Sequence, residues 1–496
     1  MNEFITYEAF GAIGDGVTDD MPAIARAHDE ANRLGLPVKA KEGAVYYISP
    51  KECPATVQTS VDWTGAKFIF DDRDCENIHA PVFRVTASEA PAALEIPSLK
   101  RGQTKIDNPT GRDLYVIVKN RNHLDYIRFG LNQNNGTART DNFIVYADGT
   151  LSSGVSFDFD EVTDITAVPM DKEKLTLTGG EFTTIANQAE SKYNYHSRNI
   201  SISRSNVEVS DITHLVTGEI DHGAPYSGFI SISGCANVLV HDCVFTGHYI
   251  YETIGSAGKP VMMGSYDINC GNSSNVTFRN CTQTTDIMDK RYWGLIGSNF
   301  CRDLVFEDCH FSRFDAHMGV SNCTLRRCTL GWQCLNAIGN GTFVIEDTHA
   351  YGYAFVNLRS DYGSNWRGDV VVKNCKWVPA CGDEWSPKMF AVTNAGMHDF
   401  GYPCSMPENI TVEDLYVEDA NVPADYAGLE LFSDPDAPVD GADFVIREPR
   451  PYPYAPSKCV KVTGLTTFSG KPVSIGKAAA LLKDADVTVN GAKLDR

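Results

Sequence analysis

A seven-residue phrase recurs through the second half of this chain and restricts what it can fold into. An Asn or Asp leads, an apolar residue follows three positions on, and usually a Cys three further. It reads Asn237/Val240/Cys243, Asn275/Phe278/Cys281, Asp303/Phe306/Cys309, Asn322/Leu325/Cys328, Thr342/Ile345/Thr348, Asp369/Val372/Cys375 and Asn409/Val412/Leu415. Asn199/Ile202/Ser205 is an earlier member. Alternating apolar residues describe a short strand with one buried face. The leading Asn or Asp suits the turn before it. Successive phrases end 38, 38, 28, 19, 20, 27 and 40 residues apart. The shortest step, about 20 residues, is one coil of a stacked parallel solenoid, in which equivalent side chains form ladders along the axis.

The N-terminus carries a second pattern, Phe10-Gly-Ala-Ile-Gly-Asp-Gly-Val-Thr-Asp-Asp20. Its glycines and aspartates make a turn-rich stretch. A helix is expected next, with Asp19 or Asp20 as cap and Pro22 in its first turn. Ile24, Ala27, Ala31 and Leu34 share a face, and Gly35 stops it. Over residues 8–35 this segment resembles the start of pectate-lyase-superfamily (pectin-lyase-like) proteins. The resemblance implies an all-β, single-stranded right-handed parallel β-helix with an N-terminal capping helix. It carries no catalytic residue across, because glycosidases, lyases, epimerases and phage tailspikes share the signature.

Four segments follow. Residues 1–50 hold the signature and capping helix, and 51–190 hold early coils or a strand-rich insertion. Regular coils with cleft loops fill 191–433. A long loop, rich in Pro and Asp, and closing coils fill 434–496. Five of the 15 cysteines fall on the repeat phrase, and the set reads mostly as an internal ladder of small apolar groups. A formal charge of −21 disfavours nucleic acid, whose phosphates are bound mainly by Lys and Arg. The sequence shows no signal peptide and no long apolar run, so a cytoplasmic location without a membrane partner is expected. Pairing of solenoid flanks makes a homo-oligomer one expectation for assembly.

Coil length points to the chemistry. The shortest coils end at Cys328 and Thr348, and longer coils on both sides carry inserts that would wall a cleft. On its floor, Arg313, Asp315 and His317 share one strand parity, as do Asn357, Arg359 and Asp361. Asp267 and Asp286 lie on neighbouring coils, and Glu219 could reach in from a loop. Tyr266, Tyr292, Trp293, Tyr362 and Trp366 flank them. Aromatic rings cover sugar faces, and carboxylates, guanidinium groups and amides bond sugar hydroxyls. A catalytic set drawn from Asp267, Asp286, Asp315 and His317 is therefore expected. Glu219, Tyr266, Trp293, Arg313, Asn357, Arg359, Asp361 and Trp366 are the expected substrate contacts.

These residues point to a carbohydrate-active enzyme acting on an oligo- or polysaccharide. A glycoside hydrolase with a carboxylate acid/base pair is the first expectation. A lyase on uronic-acid glycans is the second, with Arg359 or Lys290/Arg291 as base. A non-catalytic glycan-binding or tailspike-like protein is the third. No cofactor or metal is expected for hydrolysis, whereas a lyase of this fold would take Ca2+. The motif sets of pectin hydrolases and alginate epimerases are absent.

Overall fold

The repeat phrases from Asn237 onward fold on the first of three strand positions in a coil. Asn199/Ile202/Ser205 instead falls on the third-strand row, because Ile200–Ser203 pairs with Ser227–Ser233 and Val207–Ser210 takes the first position. In one coil the three strands are Ala236–His241, Val244–Phe245 and Tyr266–Gly271. In the next they are Ser274–Arg279, Thr282–Gln283 and Ile296–Asn299. The computed structural model describes residues 3–494 except 129–133, 257, 295, 334, 360–361, 363–365, 381, 383–384, 393–403 and 435–453. Most of the long loop expected after Asp434 therefore lies outside the described residues. Equivalent strands pair in parallel from coil to coil and join 36 strands into one continuous sheet.

One inward column runs through the pairing without interruption. It passes from Leu175 through Val207, Val238, Val276, Leu304, Cys323, Phe343, Val370, Ile410 and Val460 to Val487. All are buried in the main core. The repeat cysteines make a second column. Thiols of Cys281, Cys309, Cys328 and Cys375 donate to the carbonyls of Val240, Phe278, Phe306 and Ile345 one coil before, at 3.5–3.6 Å. They act as small buried side chains, and all four are free thiols.

The polar residues of the repeat have a conformational reason. Asn237, Asn275, Asp303 and Asn322 have φ between 53° and 58°, in the left-handed region that Asn and Asp tolerate best. Their side chains also stack: Asn275 Nδ2 donates to Asn237 Oδ1 at 2.7 Å, and Asn237 Nδ2 to Asn206 Oδ1 at 2.9 Å. A second left-handed row precedes the cysteine column: Asp242, Asn280, Asp308, Arg327, Asp347 and Asn374. Arg327 alone among these lacks the short polar side chain.

The capping helix spans Met21–Leu34 and buries Met21, Ala23, Ile24, Ala27, His28 and Ala31. Leu34 is exposed, because the chain turns away at Gly35. Asp20 does not cap the helix through its side chain. Its carboxylate turns back to accept the N–H groups of Ile13 and Gly14, at 2.6 and 3.1 Å, and pins the glycine loop. His28 is fully buried beneath the helix, with Nε2 3.1 Å from the Tyr7 hydroxyl, which accepts from the Trp63 indole at 2.9 Å. No described helix is long and apolar enough to cross a membrane.

After Thr86 the chain leaves the solenoid and builds an antiparallel sheet from Leu114–Asp125, Thr137–Val145 and Asp164–Pro169. This insertion has its own core around Leu114, Val116, Val118, Phe143 and Phe159. The solenoid resumes at Leu175–Thr178, which pairs with Val61–Asp62. The insertion docks against the outside of the coils: Asn142 Nδ2 donates to the Phe300 carbonyl at 2.6 Å, and Ser274 Oγ donates to Asn142 Oδ1 at 2.7 Å.

Two outcomes follow. Arg327→Asn should raise stability by about 1 kcal/mol, because the left-handed cost exceeds the value of the exposed Arg327–Asp308 pair. A lower urea midpoint would mean the ion pair outweighs the backbone. Burial lowers the His28 pKa to about 3, so the unfolded chain binds more protons below its ordinary value. The resulting stability is complete at pH 7 and is lost as pH falls. His28 should contribute on the order of 2 kcal/mol of the loss between pH 7 and pH 5. Urea titrations of wild type and His28→Gln at both pH values check this: the variant's pH slope should be shallower.

Candidate functional site

Strand Phe314–Arg326 places alternate side chains on opposite faces. Phe314 and Ala316 enter the core, whereas Asp315 and His317 point outward. Coil stacking then aligns Asp315 with Asn336 and Asn357 in one outer column. Asn357 Nδ2 donates to Asn336 Oδ1 at 2.7 Å, and Asn336 Nδ2 to the Gln333 carbonyl at 2.7 Å. Gln333 Oε1 accepts from Arg313, so the column is cross-linked at its edge.

Asp315 is the anchor of the column and has no exposed surface. Its Oδ2 accepts from Arg313 Nη2 at 2.7 Å and from the Tyr266 hydroxyl at 3.3 Å. Arg359 Nη1 donates to both oxygens, at 3.1 and 3.2 Å. Burial pushes this carboxyl up, but the two guanidinium groups outweigh it, and the pKa lies below the ordinary value. Asp315 is therefore an ionised strut that aims Arg313 and Arg359. Tyr266 reaches it across an intervening coil because Gly297 has no side chain. A Cβ at Gly297 would stand 3.3–3.4 Å from the Tyr266 ring.

His317 stands beside this cluster. Its Nδ1 lies 2.8 Å from Asn299 Oδ1, and its Nε2 lies 3.5 Å from the Tyr362 hydroxyl. With the amide oxygen facing Nδ1, the neutral imidazole carries its proton there and its lone pair on Nε2, which faces the Tyr362 hydroxyl. Trp293 lies under the Arg313 guanidinium, 4.5 Å from its carbon, so one ring face is already occupied. Asp315, Arg313, Arg359, Tyr266, Trp293, His317 and Asn357 thus form one cluster.

Other expected residues lie elsewhere. Asp267 is fully buried, with Oδ1 2.7 Å from His214 Nδ1 and Oδ2 accepting the Thr246 N–H at 2.9 Å. His214 in turn stacks on the core residue Phe229. Asp267 therefore belongs to a closed interior corner, not to the outer face. Asp286 is exposed and caps its own turn by accepting the Met288 N–H at 2.9 Å. Glu219 accepts the Tyr249 N–H at 2.9 Å and lies 3.2 Å from His248 Nδ1. Trp366 packs inward on Phe343 with no exposed surface, and its indole donates to the Gly341 carbonyl at 3.1 Å. A buried ring cannot serve as a sugar platform, so that expectation is corrected. Asp361 lies outside the described residues. Lys290 is exposed, and Arg291 is paired with Asp289 at 2.6 Å.

Sequence reasoning did not single out Asn299, Gln333, Asn336 or Tyr126. Asn336 shares outward parity with Asp315 one short coil away, so the 20-residue step held its signal. Tyr126 comes from the insertion and packs on Phe300 and Tyr362. No local pattern marks such a contact. Among the described residues, no three His, Cys, Asp or Glu side chains converge as a metal-ligating group.

No family model matches the chain. A capsule KL64-specific depolymerase of Klebsiella phage P510 is 21% identical over 397 residues, covering 75% of this chain and 36% of that protein. The chain thus spans little more than a third of that relative's length. The tailspike of Acinetobacter baumannii bacteriophage AP22, solved in complex with a capsular saccharide, matches with a TM-score of 0.52 at 10% identity. The match covers 98% of this chain and 79% of that one. The Pseudomonas phage phi297 tailspike matches with a TM-score of 0.50 at 12% identity, over 97% and 83% of the two chains. The fold is a right-handed parallel β-helix of the pectin-lyase-like kind.

Asp315→Ala should cost roughly 3–5 kcal/mol, because it leaves the buried Arg313 guanidinium without its carboxylate. Asp286→Asn should change stability by no more than about 0.5 kcal/mol. Urea unfolding of both variants tests the strut: equal midpoints would remove Asp315 from that role.

Proposed function

We propose that the protein binds and cleaves a polysaccharide along the outer face that carries Asp315, Asn336 and Asn357. The observation behind this reading is the polar column itself. A parallel-sheet surface bearing two asparagines, Arg359 and His317, edged by Tyr266 and Trp293, supplies directional donors and acceptors beside aromatic surface. Such a mixture suits a polyhydroxylated ligand better than an apolar one. The sequence likeness to a capsule depolymerase and the saccharide complex of a tailspike with this fold support the same class of ligand.

Glycoside hydrolysis needs a protonated carboxyl and a second carboxylate across the scissile bond. Asp315 does not supply the acid, since two guanidinium groups hold it ionised and enclosed. A hydrolytic pair would have to include other carboxylates, with Asp286 the exposed member of the expected set.

Elimination from a uronic-acid residue is the second reading, and the arrangement of His317 favours it. The Nε2 lone pair of His317 would take the proton next to the sugar carboxylate. Arg359 would hold that carboxylate and stabilise the negative charge. The bond to the leaving glycosidic oxygen then breaks and a carbon–carbon double bond forms. The leaving oxygen takes a proton from solvent.

Incubation with a panel of bacterial capsular polysaccharides separates these readings. New reducing ends without an ultraviolet chromophore mean hydrolysis; both together mean elimination. Binding without product would sink the cleavage reading. His317→Ala should slow elimination by about 10²–10⁴-fold with KM little changed. A variant that weakens binding but keeps full turnover would place His317 in substrate contact only.

A further inference from the structure

A separate groove lies where the insertion meets the solenoid. Its volume is about 360 Å3. Stacking places Arg302, Ser321, Asn340 and Arg367 in one column on four successive coils. At the usual strand spacing this column is roughly 14 Å long. The insertion supplies the opposite wall with Arg101, Arg139, Ser156, Phe157 and Asp158. Tyr126, Phe300, Ile338 and Tyr362 form an apolar cluster near the His317 side of the outer face and do not line this groove.

Charge in the groove is unusual for a chain with a net charge of −21. Four arginines line it against one carboxylate, Asp158. Two of the four are matched by nearby acids: Arg139 by Asp125 at 2.9 Å, and Arg302 by Asp141. Arg101 and Arg367 have no ion-pair partner among the described residues. The Asp158 carboxylate accepts the backbone N–H of Arg101 at 3.0 Å, and its carbonyl accepts from Arg139 Nη1 at 3.3 Å. Arg302 is 3% exposed, and its Nε–H has no hydrogen-bond partner among the described residues. A buried charged donor left unmatched is costly unless something else accepts from it. Arg139 and Arg367 also lie over the Phe157 ring, at 5.3 and 5.7 Å, which holds the guanidinium groups in place from both walls. On the solenoid side, Gly341 and Gly368 line the groove. A Cβ at Gly368 would stand 2.2 Å from the Gly341 carbonyl oxygen, so the two backbones lie in close contact.

We propose that this groove is a binding subsite for an acidic saccharide residue. Its carboxylate takes the forked N–H groups of Arg101 and Arg367, which match a planar two-oxygen acceptor. Ser156, Ser321 and Asn340 bond the sugar hydroxyls. The site lets a strongly acidic protein hold an acidic glycan, because local arginines outweigh the distant charge once salt screens it beyond about 8–10 Å. The ligand class rests on the glycan reading above, whereas the groove does not depend on cleavage.

Arginine modification by phenylglyoxal, mapped by mass spectrometry, tests the groove directly. The probes are tetragalacturonate, neutral cellotetraose and inorganic sulfate. Tetragalacturonate should slow modification of Arg101 and Arg367 several-fold, and the other two should not. In calorimetry, the double variant Arg101→Gln/Arg367→Gln should lose at least about tenfold in tetragalacturonate affinity, the equivalent of one lost charge-assisted contact. Arg359→Gln, at the other site, should leave protection of Arg101 and Arg367 intact. Absence of protection at these two arginines overturns the inference, whatever the cleavage assay gives. Equal protection by sulfate reduces the groove to a simple anion site, and equal protection by cellotetraose removes the carboxylate from recognition. Either result also overturns it.

Discussion

Parallel hydrogen bonding between successive coils sets almost everything else in this molecule. It fixes which residue lies above which, so one inward side chain predicts the next along the axis. The column from Leu175 to Val487 is the clearest product. The same constraint acts on the outer face, where it stacks Asp315, Asn336 and Asn357. The column on such a surface is set by register, and residues between strands, such as Trp293, Gln333 and Arg359, complete its edge. Its spacing is that of the sheet, and its polar atoms are pre-positioned before a ligand arrives.

Register also decides which polar groups remain available. Asp315 points outward, as its strand parity requires, yet two arginines and a tyrosine enclose it. Its role is to hold neighbouring cations in place. Asp267 meets a different fate within the interior corner near His214. Both aspartates are thus engaged within the structure, and the imidazole beside the outer column is that of His317. Around the enclosed Asp315 carboxylate, the outer column presents guanidinium, imidazole and amide groups.

The solenoid was legible from the chain because its signal is local and periodic. The Asn-to-Cys phrase marks a left-handed turn, an inward apolar residue and an inward thiol, each with its own physical reason. The outward parity of Asp315 and His317 followed from the same count. Trp366 was misplaced because residues 349–368 carry an insert that moves the strand start to the tryptophan itself, facing Phe343. Asp267 was obscured by the register shift between Ser227 and Ile230 in the coil before it. Contacts made by the insertion, such as Tyr126 on Tyr362, join residues more than 200 positions apart, and no periodicity carries them.

The insertion leaves after Thr86 and returns at Leu175, yet the strands on either side of it stack on each other directly. It is therefore a branch on the spine and not a link within it. Residues can be added, lost or exchanged along that branch without shifting any coil relative to the next. One wall of the arginine groove can change its lining over generations while the opposite wall keeps its spacing. A lineage facing a changing target surface could retune recognition on the branch and leave the folding problem of the spine already solved.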